Sequence, residues 1–163
     1  MLGDGENLVG YDNLSTGMSE FIASARTHKN FAFVESDLLD TRSLTEAMRG
    51  ASRAVHFAAN ADVRFGLDHP RKDLVQNTIA TFNVLARQYV KKIAFSSTGS
   101  IYGEAKVVPT PEDARFPVQT SLDGASKLAC EGMIAAYAEG YGIKARIFDL
   151  YRSSGNATAM DKF

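Results

Sequence analysis

Residues 92–103 read KIAFSSTGSIYG. The stretch opens on a short apolar run and closes on small hydroxyl-bearing residues and glycines. An apolar run without polar alternation is the pattern of a strand buried on both faces, as in a parallel sheet. The polar cluster Ser96-Ser97-Thr98 then falls at the strand's carboxyl end. The same pattern repeats on either side. Leu8 to Tyr11 (LVGY) ends at Asp12-Asn13, and Phe31 to Val34 (FAFV) closes at Ser36-Asp37. Arg53 to Ala59 (RAVHFAA) is a third strand, and Ile143 to Phe148 (IKARIF) a fifth.

Helical patterns separate the runs. Residues 18–29 are weakly helical, and Thr41 to Arg49 is a short helix with Leu44 and Met48 one turn apart. From Arg71 to Gln88, Val75, Ile79 and Phe82 recur at helical spacing. A polar loop with prolines runs from Gly99 to about Ser121. Gly124 to Gly140 is a helix with Met133, Ile134 and Tyr137 on one face, stopped by Gly140 and Gly142. Alternating strands and helices predict a doubly wound parallel α/β sheet, which binds ligands at the carboxyl ends of its strands.

Composition narrows the function. The 163 residues are 45% hydrophobic with a net charge of -1, enough for one domain with a core and no basic face for nucleic acid. Cys130 is the lone cysteine, so no internal disulfide forms. No apolar run approaches the roughly 20 residues of a membrane helix, and the N-terminus lacks a signal-peptide core. A soluble, cytoplasmic protein without a membrane partner is expected. No metal-ligand pattern is assigned.

Asp12, followed by Asn13, Ser15 and Gly17, stands where a carboxylate accepts hydrogen bonds from an adenosine ribose; alone it reads equally as a turn or helix cap. Asp37-Leu38 ends the next strand, where a carboxylate reaches an adenine amino group. Ala58 and Ala59 are small enough for a nucleotide to lie against the backbone. SSTGSIYG is followed, 25 residues after Thr98, by DGASK at residues 123–127.

Together YDNLSTG, SDLLD, VHFAANADVRFG, QNTIATFNVL, SSTGSIYGE, PTPEDA and GASKLACE resemble the NAD-dependent epimerase/dehydratase family. These are extended short-chain dehydrogenases, and the pattern is most similar to UDP-glucose 4-epimerase-like enzymes. The resemblance implies a Rossmann domain holding NAD, a smaller C-terminal domain for a nucleotide sugar, and usually a homodimer. It implies hydride transfer, with a tyrosine as base tuned by a lysine four residues later. Carried over by motif, Thr98 takes the serine/threonine role and Lys127 the lysine role. Ser100 touches substrate, Asn77 braces the site, and Ser96 and Lys127 join Asp12, Asn13, Ser15, Gly17, Asp37, Leu38, Ala58 and Ala59 around the cofactor.

Three departures stand out. Asp123 occupies the tyrosine position; it is shorter than tyrosine and ionises near an ordinary pKa of about 3.9. It makes a good N-cap for a helix starting at Gly124. Tyr102 is a conceivable stand-in. The chain also contains no Gly-x-x-Gly-x-x-Gly phosphate loop, so a Rossmann domain lacking its first strand is expected over 1–148. That leaves the strands at 8–11 and 53–59 either to pair directly or to flank a gap of roughly 10 Å. The tail at 149–163, DLYRSSGNATAMDKF, is unpatterned. Back-translated with permitted codons and shifted in frame, it yields FVSILGERYSHGQV, so a frameshifted end without the substrate domain is expected. The reading is an epimerase by descent that is inactive as this chain. Alternatives are a non-catalytic nucleotide-binding or regulatory module, or a pseudogene product.

Overall fold

The computed structural model describes residues 2–60, 68–87, 89–104, 107, 109–111, 118–150 and 159–162. Positions 61–66 of the VHFAANADVRFG motif, 112–114 of PTPEDA and 151–158 of the tail lie outside these residues. Two compact units divide the chain, Met1–Arg49 and Gly50–Phe163.

In the first unit β1 (Leu8–Asp12) and β2 (Phe31–Glu35) run parallel, with Gly10 opposite Phe33. A 3-10 turn (Ser19–Ile22) and the short helix α1 (Ala23–Arg26) connect them. α1 packs on β2, where the Arg26 guanidinium lies 4.6 Å from the centre of the Phe33 ring. Helix α2 (Thr41–Ala47) is capped by Asp40, whose carboxylate accepts from the Arg42 and Ser43 N–H groups at 3.1 and 3.0 Å. It ends two residues before the expected Arg49.

The second unit holds a sheet ordered β3-β4-β5-β6. β3 (Arg53–His56), β4 (Lys92–Thr98) and β5 (Lys144–Leu150) are parallel; β6 (Ala159–Lys162) lies antiparallel on β5. β3 stops three residues short of the expected Ala59. Its ladder with β4 ends at His56 opposite Phe95, leaving residues 57–59 without strand partners. β4 and β5 continue together through Thr98 opposite Leu150, one residue beyond the expected end of β4 and two beyond that of β5. Among the described residues β1 pairs with β2, and β3 pairs with β4. The tail strand joins the far edge at β5.

The expected helix from Arg71 to Gln88 is three segments. They are α3 (Pro70–Asp73), a π-helical stretch (Leu74–Ile79) and α4 (Ala80–Ala86). Its buried stripe is Asp73, Asn77, Ala80, Thr81, Val84 and Leu85. Ile79 and Phe82, expected inward, are exposed. The wider π turn rotates the helix face. Helix α5 (Leu122–Tyr141) packs on β4, β5, α4 and the π stretch. Its N-cap is Ser121, whose Oγ accepts from the Gly124 N–H at 3.0 Å. Asp123 therefore sits inside the first turn, not at the cap. No helix among the described residues is long and apolar enough to cross a membrane.

Gly142 closes α5 at φ +67°, and its N–H bonds the Ala138 carbonyl at 3.0 Å. A side chain there strains the left-handed backbone. We expect Gly142→Ala to lower the urea midpoint by the equivalent of about 1 kcal/mol. An unchanged midpoint would contradict this cap.

Candidate functional site

In the second unit, the chemistry-bearing residues converge where β4 ends and α5 begins. Lys127 lies one turn into α5 and is 5% exposed. Its Nζ donates to the Ser96 carbonyl at 2.8 Å and stands 4.7 Å from the centre of the Phe95 ring. Among the described residues that carbonyl is its one hydrogen-bond partner, which leaves two of its three N–H donors without an acceptor there. Burial pushes its ammonium down from the ordinary lysine range, while neighbouring Cys130, Asp123 and Glu131 act in the opposite sense.

Asp123 is one turn earlier on the same helix face and 5% exposed. Its Oδ1 accepts from Asn77 Nδ2 at 3.3 Å. Burial raises its carboxyl above the usual range; Lys127 lowers it, Asp73 raises it, and the Asn77 bond lowers it. Asn77 also donates to Ser126 Oγ at 2.8 Å, and Ser126 donates to the Asp123 carbonyl at 2.8 Å. Asn77 thus links the π stretch to α5. The Cys130 thiol, buried and raised in pKa by that burial, donates to the Asn77 carbonyl at 3.4 Å.

Thr98 ends β4. Its hydroxyl donates to Ser100 Oγ and accepts the Ser100 N–H, both at 3.2 Å. No hydrogen bond joins it to Asp123 or Lys127 among the described residues. Gly124 is required by this same turn: a Cβ there would stand 2.8 Å from the Ser100 carbonyl oxygen. Tyr102, the conceivable stand-in, lies in the turn after β4. Its hydroxyl donates to Asp149 Oδ2 at 3.1 Å, and both residues are buried. Ala58 and Ala59 follow β3 and are half-buried.

Asn60, Asp73, Ser97, Ser126 and Glu131, to which the sequence assigned no individual role, are all buried. Ser97 Oγ donates to Glu131 Oε1. The signal for Asp73, Asn77 and Thr81 was a polar residue every fourth position on a helix otherwise read for apolar ones.

In the first unit, Asp12 and Asn13 form successive Asx turns. Asp12 Oδ1 accepts the Leu14 N–H at 2.7 Å, and Asn13 Oδ1 the Ser15 N–H at 3.0 Å. Leu14 takes φ +51° between them. Asp37 Oδ1 accepts the Leu39 N–H at 2.8 Å and Oδ2 the Asn13 amide at 2.8 Å. The carboxylate of Asp37 therefore braces the loop. Gly17 follows with ordinary clearance, and Leu38 is half-buried.

The family model described as GDP-mannose 4,6 dehydratase matches residues 1–161. The chain belongs to the NAD-dependent epimerase/dehydratase family. A UDP-glucose 4-epimerase of Corynebacterium glutamicum is 32% identical, over 96% of this chain and 47% of that protein. The UDP-glucose 4-epimerase of Thermotoga maritima superposes with a TM-score of 0.82 at 31% identity, over 92% of this chain and 50% of the other. A UDP-glucose 4-epimerase of Brucella ovis, solved in complex with NAD, gives a TM-score of 0.78 at 33% identity, over 89% and 44%. The chain spans about half the length of the curated relatives it matches. The Rossmann-like fold and the family's NAD chemistry follow from membership.

His56 reports on the site's dryness. Its Nε2 lies 2.9 Å from Thr81 Oγ1. Burial, with the Lys127 charge second, lowers its imidazole to about 4. The unfolded chain protonates near 6.5 and the folded one does not, so stability is fully present above that pH. It falls as pH drops from 6.5 towards 4, by about 3 kcal/mol in all. We expect His56→Gln to flatten this limb of the urea midpoint against pH. An unaltered acid limb would contradict the burial.

Proposed function

We propose that this chain carries the acid–base wall of a UDP-glucose 4-epimerase-like enzyme and does not turn over, because the base position holds Asp123. The single observation behind this is the buried group of Lys127, Asn77 and residue 123, with a carboxylate at 123. A carboxylate reaches less far than a phenol and accepts a proton less well.

The residues fit the cofactor. Lys127 keeps two buried donors without acceptors, suited to a sugar hydroxyl pair such as a ribose. Ala58, Ala59 and Ser96 supply a lining of small residues. Bound NAD would accept the hydride; Lys127 would hold the ribose and favour the anion at position 123. The substrate proposed is a nucleotide sugar, and the location cytoplasmic.

The test incubates the full chain with NAD and UDP-glucose and measures UDP-galactose. No conversion is expected, since loss of general-base help alone costs about 10²–10⁴-fold. Conversion by the wild type that disappears in Lys127→Ala would overturn the reading. A non-catalytic nucleotide-binding role is the second reading, favoured by the same aspartate; saturable NAD binding without turnover distinguishes it.

A further inference from the structure

Asp73 closes α3 and is 0% exposed. Its Oδ1 accepts from Asn60 Nδ2 at 2.7 Å, and its Oδ2 has no hydrogen-bond partner. A buried carboxylate with one bond is unfavourable, and an apolar side chain of similar volume generally serves stability as well. Stability therefore does not account for Asp73, whereas its hold on Asn60 does. The Asn60 main-chain N–H donates to Asn77 Oδ1 at 2.7 Å. An asparagine amide has two orientations of nearly equal shape, and a main-chain N–H only donates. This contact therefore fixes Oδ1 on the Asn60 side. Nδ2 then faces Ser126 Oγ and Asp123 Oδ1, as observed.

We propose that Asp73 is a positioning residue: it holds Asn60, Asn60 fixes the Asn77 amide, and position 123 always meets an N–H donor. The functional meaning rests on reading 123 as the base position; the relay itself does not. A donor aimed at 123 favours the anion there, whether carboxylate or phenolate. The charged groups facing Asp123 are Lys127 on α5, which also favours the anion, and Asp73 on α3, which opposes it.

The experiment is a carboxyl-carbon NMR titration of Asp123 in the full chain, assigned with Asp123→Asn. The side-chain amide resonances of Asn77 are followed in the same samples. Asp73→Asn keeps an acceptor for Asn60 and removes the charge, so the Asp123 midpoint should fall below wild type. Asp73→Leu removes charge and acceptor together. Its midpoint should lie about 0.5 pH or more above that of Asp73→Asn, with the Asn77 amide resonances displaced. Asn60→Ala keeps the Asp73 charge and cuts the link, so its midpoint should rise above wild type. Equal midpoints in Asp73→Asn and Asp73→Leu, with Asn77 unmoved, would overturn the relay. If Asp73→Leu fails to fold, Asn60→Ala against wild type decides: an unchanged midpoint overturns it. Neither NAD nor a sugar nucleotide enters these measurements, so a failed relay leaves the epimerase reading standing. Turnover in the earlier assay likewise leaves the relay standing.

Discussion

The bond from Lys127 Nζ to the Ser96 carbonyl, 2.8 Å long, fastens α5 to the carboxyl end of β4. Much of the second unit's polar interior is organised around it. An ammonium taken out of water needs acceptors, and a strand end supplies a carbonyl whose own ladder is finishing. The Phe95 ring beneath it adds a face of negative electrostatic character. With Lys127 fixed, the residue one helical turn earlier must face the same interior. That residue is Asp123, and the helix leaves it nowhere else to point. Gly124 then has to be a glycine, since the Ser100 main chain occupies the space a side chain would need.

Among the described residues Asp73, Asp123, Glu131, Asp149 and Lys127 are buried. Hydrogen bonds offset part of the cost of burying the carboxyl groups: Asn60 serves Asp73, Asn77 serves Asp123, Ser97 serves Glu131 and Tyr102 serves Asp149. A core assembled for stability alone would hold apolar side chains at such positions. The same dryness depresses the His56 imidazole and raises the Asp123 carboxyl, two opposite shifts from one cause.

The strands were legible because apolar runs ending in polar clusters are a local signal. β1, β2, β4 and β5 fall within a residue or two of their expected bounds. The end of β3 was not, because the strand stops where its ladder with β4 stops, at His56 opposite Phe95, while β4 runs on against β5 alone. Thr98, Lys127, Asp123 and Asn77 were found by spacing and motif. Asp73 and Asn60 were not, for a physical reason. A search for apolar periodicity follows Val75, Ile79 and Phe82, while the π stretch turns the helix so that Asp73, Asn77 and Thr81 face inward. Helix register is a tertiary outcome here, since those polar residues are stable inside only once Asn60 and Ser126 are there to meet them. The cap of α5 was misread for a related reason. Ser121 and Asp123 are both good cap residues, and the buried partners of Asp123 draw it into the helix, leaving Ser121 as the cap.

The aspartate itself is best understood against these partners. A tyrosine at 123 would carry its oxygen beyond the Asn77 amide, towards space the short carboxylate does not reach. Aspartate instead ends at the amide, 3.3 Å from Nδ2. The surroundings meant to favour an anion at the tip of a long side chain now favour one at its root. Lys127 and Asn77 still act on residue 123, so the electrostatic environment survives the substitution. On the proposal that 123 is the base position, what aspartate lacks there is reach, and a base that cannot touch the proton it must accept contributes nothing, whatever its pKa.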